Sequence, residues 1–302
     1  MDLIDAMADD VLVLDGGLST ALTSAGHDLS DELWSARLLI ADPAAIRQAH
    51  LAYFRAGAQV AITSSYQATF EGFARRGLTA EETAGLLRAS VELARQAAAE
   101  VPGPRWVAAS VGPYGAMLAD GSEYRGRYGV TQRRLVDFHR SRIEVLVDAG
   151  ADVLAVETIP DVDEAEAVLE VVAGQGMPVW LSYSVRGART CAGQPLEEAF
   201  AVAAGVDEVI AVGVNCCEPA DVDDAVRIAR EVTGKPVVVY PNSGELWDAE
   251  ARVWRGRSTF APEVVSGWVS SGARLVGGCC QVGPDRIAEL AAVVAANVEE
   301  PR

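Results

Sequence analysis

Three cysteines stand at the ends of short apolar runs, where parallel strands expose the functional edge of a sheet. Cys216 closes the run EVIAVGVNC (208–216), and the adjacent pair Cys279 and Cys280 closes RLVGGCC (274–280). Neighbouring cysteines are poor partners for a disulfide with each other, because bridge geometry needs separated Cα atoms and converging Cβ vectors. Three thiolates with one position left open instead match the ligand set of a catalytic zinc site, and soft thiolates select zinc over magnesium or calcium.

The residues around these cysteines refine the prediction. Gly277 and Gly278 are expected to let the backbone bend, so that two consecutive sulfurs reach one ion. The segment NCC offers two candidates for the third ligand; Cys216 is favoured because it lies nearer the strand tip, and Cys217 is expected to turn away. Cys191 follows the fifth apolar run and is expected to be structural. The alternative for any one of these cysteines, taken singly, is that it is a small apolar residue of the core and binds no metal.

The histidines point to the kind of chemistry that such a zinc site would perform. The chain has three, His27, His50 and His139, and none stands at a predicted strand tip. Three thiolates on Zn²⁺ give a site of net charge −1, which is a poor activator of water. Metal ligation does, however, deprotonate an incoming thiol without help from a protein base. The pattern therefore favours activation of a substrate thiol over hydrolysis.

The elements that position these residues are predicted to be eight strands joined by helices. The strands are read as continuous apolar runs, typical of strands covered on both faces, and helical spacing recurs between them. Eight such units predict an α/β fold, a single (β/α)8 TIM barrel over residues 1–302. An open doubly wound sheet is the alternative, although the first run lacks a Gly-x-Gly-x-x-Gly turn. The eight runs are 11–17, 60–66, 106–113, 153–160, 179–185, 208–216, 236–242 and 274–280.

Composition restricts the partners of the protein. The formal net charge of −18 disfavours nucleic acid and anionic membranes, and it is compatible with a cationic ligand. No run is long and apolar enough for a membrane helix, and the N-terminal residues lack the features of a secretory signal. Cysteines in a chain without an export signal suggest a reducing cytoplasm, where clustered thiols indicate metal binding or catalysis. We expect small-molecule partners and a monomer.

Five segments in this order carry a resemblance to a known family: LDGGLST, AVETIPD, GVNC, YPNSGE and GGCC. They resemble the zinc-dependent homocysteine S-methyltransferases, and the similarity extends over residues 10–297. The resemblance implies a (β/α)8 barrel in which Cys216, Cys279 and Cys280 hold Zn²⁺. It further implies that the thiolate of homocysteine takes the open zinc position and attacks the methyl group of a donor, which gives methionine.

The same resemblance implies which residues bind the acceptor. Asp15 and Glu157 are similar to the acidic residues that hold the homocysteine ammonium group, and two carboxylates at strand tips would oppose an amino group well. Gly16 and Gly17 open a helix whose N-terminus can receive a carboxylate. The alternative for Asp15 and Glu157 is that each merely caps a turn.

Three further positions carry over with less specific motifs. Asn242 resembles a residue that fills the open zinc position when substrate is absent, and its alternative role is to shape a loop. Trp34 and Tyr66 align with aromatic residues of the donor site, where aromatic faces would attract a sulfonium or ammonium cation. For Trp34 the alternative is a core or lid position.

The resemblance favours a sulfonium compound as the methyl donor. YPNSGE and the compact length are similar to the branch that uses S-methylmethionine, with S-adenosylmethionine as a poorer donor. Methylfolate-dependent members need cobalamin and folate modules, for which no residues remain. Betaine–homocysteine S-methyltransferase is the alternative, but betaine-dependent relatives carry a longer tail and an aromatic residue after the strand-four glutamate. Here Glu157 is followed by Thr158.

Two rival functions explain part of the pattern. A metal-free barrel lyase or aldolase would need a catalytic lysine or histidine at a strand tip, and the best candidate, Lys235, precedes its strand. A non-enzymatic zinc or redox sensor would explain the cysteines but would leave Asp15 and Glu157 unused.

Overall fold

The computed structural model describes residues 1–29, 33–248 and 253–299. Eight parallel strands form one sheet, and each is followed along the chain by at least one helix. The strands are β1 (Leu12–Val13), β2 (Val60–Ile62), β3 (Trp106–Val111), β4 (Val153–Ile159), β5 (Val179–Tyr183), β6 (Val209–Asn215), β7 (Val237–Tyr240) and β8 (Ala273–Val276).

The sheet closes on itself as a barrel. Adjacent strands follow chain order from β2 to β8, and β8 pairs with β1. The last gap is closed by a parallel bridge between Leu14 and Val60, where the amide of Asp15 donates to the carbonyl of Val60 at 3.0 Å. The prediction of a (β/α)8 barrel is therefore confirmed, and the open sheet is excluded.

The helices surround the barrel, and one of them closes its N-terminal end. Leu3–Asp9 buries Leu3, Ala6 and Met7 against the residues inside the barrel. The remaining α-helices are Leu18–Ser24, Leu38–Ala41, Pro43–Arg55, Phe70–Ala74, Ala80–Ala98, Tyr114–Leu118, Gln132–Asp148, Val162–Val172, Leu196–Ala201, Val222–Thr233, Val265–Ser270 and Pro284–Glu299.

Side chains on the barrel strands alternate between two separate cores. On β3, Trp106 and Ala108 belong to the cluster inside the barrel, whereas Val107 and Ala109 pack in the layer between the sheet and the helices. Both faces of each strand are therefore apolar along most of its length. This explains why the strands read as continuous apolar runs in the sequence.

The inward positions become polar where the strands approach the carboxyl end of the barrel. Ser110, Glu157, Ser182 and Asn215 continue the inward-facing series of their strands and are all buried. The Asn215 carboxamide oxygen accepts hydrogen bonds from the Ser182 hydroxyl and from the amide of Thr158, each at 2.7 Å. Buried polar groups with satisfied partners fix one arrangement of neighbouring strands. The barrel mouth is therefore a rigid polar surface.

Several strands are shorter than predicted, which changes where the cysteines lie. β8 ends at Val276, so Cys279 and Cys280 belong to the loop beyond it. That loop still bonds to both neighbours: the amide of Gly278 donates to the Asp15 carbonyl at 3.1 Å, and the amide of Cys279 donates to the Pro241 carbonyl at 2.7 Å. These two isolated hydrogen bonds hold the loop at the mouth of the barrel, although the regular strand pairing of β8 has already ended.

Two short antiparallel hairpins lie outside the barrel sheet. They pair Val185–Arg186 with Arg189–Thr190, and Leu246–Asp248 with Val253–Arg255. In the part of the chain that the structure describes, none of the helices has the length and apolar character needed to cross a bilayer.

Candidate metal and substrate site

Three thiols from two strand ends meet at the mouth of the barrel. The Cys216 sulfur lies 2.6 Å from the Cys279 sulfur and 3.7 Å from the Cys280 sulfur. All three ligand atoms lie within 4.8 Å of one another. Cys216 directly follows β6 and is buried, whereas Cys279 and Cys280 are half-buried. The sulfurs are close enough to share one ion.

The thiols fit a three-thiolate metal site. Tetrahedral zinc with bonds of about 2.3 Å separates its sulfur ligands by about 3.8 Å. The distance between the sulfurs of Cys216 and Cys280 already matches that edge. The Cys279 sulfur lies closer to Cys216 and would have to move outward by about 1 Å to complete the triangle. The donor set suits a soft divalent cation.

A backbone kink at Cys216 selects which of the adjacent cysteines faces the mouth. Asn215 points inward, so continued alternation would send Cys216 outward into the helix layer. Cys216 instead has a φ of +49°, in the left-handed region that costs a non-glycine residue about 1 kcal/mol. The kink reverses the alternation: Cys216 meets the other thiols, and Cys217 packs in the core between sheet and helices.

The glycines before the vicinal cysteines do not form the backbone bend that is expected of them from the sequence. Gly277 and Gly278 do not have positive φ, whereas Gln281 does, at +62°. A Cβ on Gly277 would lie 2.8 Å from the Asp15 carbonyl oxygen, and one on Gly278 would lie 2.5 Å from the Val282 Cβ. These two glycines therefore allow close packing against β1 and the following turn, and the turn itself occurs after Cys280.

Asn242 lies behind the thiols. Its side-chain oxygen accepts a hydrogen bond from the backbone amide of Cys280 at 3.1 Å, and its backbone amide donates to the Cys217 carbonyl at 2.9 Å. Asn242 thus ties the loop after β7 to both cysteine segments, through its side chain to Cys280 and through its backbone to Cys217. In this arrangement Asn242 supports the position of Cys280 and does not line the cleft in front of the sulfurs.

A cleft of about 130 Å³ opens in front of the sulfurs and brings most of the predicted residues together. Asp15 is buried two residues after β1 and directly precedes the lining residue Gly16. The residues that line it are Gly16, Gly17, Leu18, Ser19, Thr20, Trp34, Ser35, Ile62, Thr63, Tyr66, Gln67, Glu123, Tyr124, Glu157, Thr158, Cys216, Tyr240, Gly278, Cys279 and Cys280.

The Gly16–Gly17 turn packs tightly under the cysteine loop. A Cβ on Gly17 would lie 2.5 Å from the Cys279 carbonyl oxygen, so only glycine fits. The Tyr53 hydroxyl lies 2.7 Å from the Gly17 carbonyl oxygen and 3.0 Å from that of Val282. This contact holds the first turn of the helix Leu18–Ser24 against the thiol-bearing loop.

Two aromatic side chains border the cleft. Trp34 is half-buried and has a left-handed φ of +46° at the start of a short 3-10 helix. The Tyr66 ring covers the backbone after β3, where a Cβ on Gly112 would lie 2.6 Å from the ring. The glycine therefore leaves the space that the tyrosine ring occupies.

Asp15 and Glu157 are both buried carboxylates. Asp15 accepts a hydrogen bond from the amide of Ile62 at 2.9 Å through one oxygen, and its other oxygen is buried without a partner. Burial raises the pKa of Asp15 well above its usual range, and the charge of Glu157 adds to this. Burial likewise raises the pKa of Glu157 to about 7, although the Ser110 hydroxyl donates to it.

The charge of the cleft is suited to cationic ligands. None of the described residues that line it is a lysine, an arginine or a histidine, whereas carboxylates and thiols line it on several sides. A buried carboxylate without a partner is costly and is relieved by a cation that enters the site. The cleft therefore selects positively charged groups.

Both helix-borne histidines are remote from this chemistry, as their sequence positions indicated. His50 is fully buried, and burial lowers its pKa to about 4. His139 is also fully buried, with its ring nitrogens 2.8 Å from Glu164 and 2.7 Å from Arg142. Burial and the charge of Arg142 lower the pKa of His139 to about 4. Neither imidazole lines the cleft.

Sequence reasoning missed Glu123 and Tyr124, which also line the cleft. They belong to the 3-10 turn Ser122–Tyr124 in the connection after β3. The Tyr124 hydroxyl lies 3.6 Å from the Cys216 sulfur, close enough for a hydrogen bond. The available signal was an acid and a tyrosine within the turn-forming segment DGSEYRG after a strand tip, which is too common to single them out.

The raised pKa of Glu157 leads to a prediction about stability. The pKa of its carboxyl is about 7 in the folded chain, against an ordinary value of 4.5, so it holds a proton up to about pH 7. The folded state therefore holds more protons than the unfolded state between about pH 4.5 and 7, and the free energy of unfolding falls as pH rises through this window. Glu157→Gln should stabilise the metal-free protein at pH 8 by up to about 3 kcal/mol, and should have little effect near pH 4.

Urea unfolding of wild type and variant at both pH values measures this difference. Glu166→Gln, on the exposed face of the helix that follows β4, is the matched control and should change stability equally at both pH values. Equal or lower stability of Glu157→Gln at pH 8 would show that the buried carboxylate is not strained.

A closed parallel barrel with thiols and buried carboxylates at the carboxyl ends of its strands has the architecture of a (β/α)8 enzyme. The family model described as homocysteine S-methyltransferase matches residues 12–294. A homocysteine S-methyltransferase of Escherichia coli strain K12 is 45% identical over 294 residues, which cover 94% of this chain and 95% of that protein. A selenocysteine methyltransferase of Astragalus bisulcatus is 42% identical, covering 91% and 90%.

The chain is also similar to a solved structure, with a sequence identity in the same range as that of these relatives. The metallated form of the homocysteine methyltransferase MmuM from Escherichia coli superposes with a TM-score of 0.85 at 45% identity, covering 94% of this chain and 96% of that one. The chain therefore belongs to the homocysteine S-methyltransferase family, and it is a methyltransferase.

Proposed function

We propose that this protein transfers a methyl group from a small sulfonium compound to the sulfur of homocysteine, which gives methionine. The observation that carries the proposal is the convergence of three thiols and the buried Glu157 carboxylate on one cleft, with the unpartnered oxygen of buried Asp15 next to the lining residue Gly16. Membership of the family supports homocysteine as the acceptor. A relative that acts on selenocysteine makes a selenol the natural second acceptor to test.

We propose zinc as the metal at Cys216, Cys279 and Cys280. Zinc bound there would supply one further coordination position, at which a substrate thiol loses its proton at neutral pH. The metallated form of the Escherichia coli relative supports a metal in this family. In this chain Asn242 would hold Cys280 in place, and the Tyr124 hydroxyl would donate to the Cys216 sulfur.

The acceptor would be oriented through its amino-acid end. Its ammonium group would lie between Asp15 and Glu157, where it satisfies the unpartnered Asp15 oxygen. Its carboxylate would face the amides after Gly16 and Gly17, which begin the helix Leu18–Ser24. Binding both charged ends restricts the sulfur to one position in front of the thiols. Such orientation can account for several orders of magnitude in rate.

The donor would enter on the side of Trp34 and Tyr66, whose aromatic faces attract cations. In the transfer, the bond from the donor sulfur to its methyl carbon breaks and a bond from the acceptor sulfur to that carbon forms. The donor sulfur keeps the electron pair and leaves as a neutral thioether, so the site needs no acid at the leaving group. The proton lost from the acceptor thiol goes to solvent.

The proposal is tested by assaying methionine formation with paired donors and acceptors. We expect turnover of homocysteine with S-methylmethionine, slower turnover with S-adenosylmethionine, and little with betaine. A chelator should abolish turnover, and added zinc should restore it. Equal or faster turnover with betaine would contradict the sulfonium assignment, and unchanged turnover in the chelator would contradict the metal. The same assay with selenocysteine in place of homocysteine shows which of the two acceptors is methylated faster.

We also propose that the protein acts in the cytoplasm as a monomer with one barrel domain. The net charge of −18 supports repulsion between copies at neutral pH. Light scattering coupled to gel filtration should give a mass near 31.8 kDa. A mass of twice that value would contradict the monomer.

A further inference from the structure

A third carboxylate, that of Glu123, lines the cleft with one of its oxygens unpartnered. One of its side-chain oxygens is buried and makes no hydrogen bond. The residue belongs to the turn Ser122–Tyr124, which reaches over the mouth from the end of β3. Neither the thiols nor the two carboxylates proposed for the acceptor account for its presence. A buried charge without a partner is destabilising, and such a residue is typical of a site that waits for an oppositely charged ligand.

Glu123 stands apart from the pair proposed for the acceptor. Asp15 and Glu157 influence each other, since the charge of Glu157 contributes to the raised pKa of Asp15. Glu123 instead acts on Tyr66: burial is the main cause that raises the pKa of this tyrosine, and the charge of Glu123 adds to it ahead of those of Cys216 and Glu157. The cleft therefore holds a further carboxylate near an aromatic ring, in addition to the pair proposed for the acceptor.

The turn that carries Glu123 is held firmly in place. A Cβ on Gly115 would lie 2.4 Å from the Glu123 amide nitrogen, so the turn packs directly on the helix Tyr114–Leu118. The Asp120 side chain accepts a hydrogen bond from the Ser122 amide at 3.0 Å. A carboxylate on a rigid turn selects among ligands, because it cannot move away to avoid repulsion.

The cation nearest in sequence does not neutralise Glu123 by direct contact. The guanidinium of Arg125 lies 3.8 Å from the Asp120 carboxylate, and both side chains are more than half exposed. Burial and the charge of Asp120 raise the pKa of Glu123 to about 7, although Arg125 opposes this shift. Exposed Asp120 has its own partner, whereas half-buried Glu123 lines the cleft and has one buried oxygen without a partner.

We infer that Glu123 is a specificity-determining residue that receives the positive charge of the methyl donor. This inference rests on the proposed function, which it deepens by naming the donor class as compounds of net charge +1. A sulfonium amino acid carries a sulfonium and an ammonium group against one carboxylate, whereas betaine carries one ammonium and one carboxylate. Glu123 attracts the net cation and gives the neutral zwitterion no comparable advantage. The aromatic ring of Tyr66 attracts the cationic group of either donor. The charge of Glu123 is therefore what makes the site prefer the sulfonium amino acid over betaine.

Glu123→Gln tests this assignment, since it keeps the shape and removes the charge. We expect the KM for S-methylmethionine to rise about tenfold or more, with the KM for homocysteine unchanged within about twofold. Turnover with betaine should not fall. Asp120→Asn is the matched control: it removes a negative charge from the same loop outside the cleft and keeps the oxygen that caps Ser122. Its kinetic constants should stay within about twofold of wild type.

Two further measurements separate a donor-binding role from a structural one. Because the substitution removes an unpaired buried charge, Glu123→Gln should unfold at pH 8 no earlier than wild type; a structural carboxylate would lower the midpoint. Calorimetric titration of the zinc-loaded protein with S-methylmethionine should show about tenfold weaker binding to the variant. This titration needs no turnover. If the wild type binds the donor but forms no methionine, the proposed function is contradicted, and the comparison of donor binding between wild type and Glu123→Gln still tests the role of Glu123.

Three outcomes overturn the inference. One is equal affinity of wild type and Glu123→Gln for S-methylmethionine, or no binding to either. Another is an equal rise in the KM for homocysteine, which would place Glu123 on the acceptor. The third is an equal rise in the KM for S-methylmethionine in Asp120→Asn. That result would show that donor binding depends on the total negative charge of the loop and not on Glu123 in particular.

Discussion

Replacing Cys279 or Cys280 with alanine is expected to release the bound zinc and to lower methionine formation by about a thousandfold or more. At pH 7 a free thiol with a pKa of about 8.5 is only about 3% ionised, so loss of the metal costs about thirtyfold through ionisation alone. Loss of a fixed position for the acceptor sulfur adds a further factor of about a hundred. Elemental analysis and the donor assay measure the two effects together.

Cys191→Ser is the matched control for these substitutions. Its sulfur lies 3.5 Å from the Ser184 hydroxyl, in the loop beyond β5, and a serine keeps that contact. Zinc content and turnover should remain within about twofold of wild type. An alanine variant of Cys279 or Cys280 that loses zinc yet retains wild-type turnover would end the metal-based account.

Glu157→Gln is expected to weaken homocysteine binding by about ten- to a hundredfold while leaving zinc in place. A hydrogen bond to a charged group contributes about 1.5–3 kcal/mol, and the variant exchanges such a bond for a neutral one. The KM for homocysteine should rise accordingly, and the KM for the donor should change little. Asp15 would still face the ammonium group, so binding is reduced and not abolished.

The control for this second variant is again Glu166→Gln, which removes one acid from the exposed side of the next helix. Its KM for homocysteine should equal that of wild type. If Glu157→Gln also kept the wild-type KM, the residue would have no part in holding the acceptor.

Much of the fold could be predicted because its signals are local. Each of the eight apolar runs overlaps a barrel strand, since buried parallel strands need apolar side chains on both faces. Asp42 and Pro43 begin a helix, because proline fits the first helical turn and the aspartate side chain caps it. Strand bounds were overestimated, because residues near the mouth continue the apolar pattern after the regular pairing has ended.

The cysteine cluster was accessible to the same reasoning. Parallel strands in a barrel bring their carboxyl ends to one face, so Cys216 and the vicinal pair must lie near one another. The choice between Cys216 and Cys217 rested only on distance from the strand tip. The left-handed φ of Cys216 that exposes its side chain to the mouth depends on tertiary packing, which no local pattern reveals.

Other parts of the site depend on contacts between distant segments. The Tyr124 hydroxyl reaches the sulfur of Cys216 across the mouth, and Glu123 faces the cleft because its turn packs on a neighbouring helix. The direction of the Asn242 side chain, toward the amide of Cys280, likewise follows from how two loops meet. Loop positions of this kind carry little periodic signal, so the sequence did not single out Glu123 and Tyr124.

X-ray absorption at the zinc edge, recorded before and after addition of homocysteine, tests the central claim most directly. Without homocysteine the spectrum should fit three sulfurs at about 2.3 Å and one nitrogen or oxygen ligand; with homocysteine it should fit four sulfurs. A coordination shell that remains at three sulfurs in the presence of saturating homocysteine would contradict capture of the acceptor by the metal.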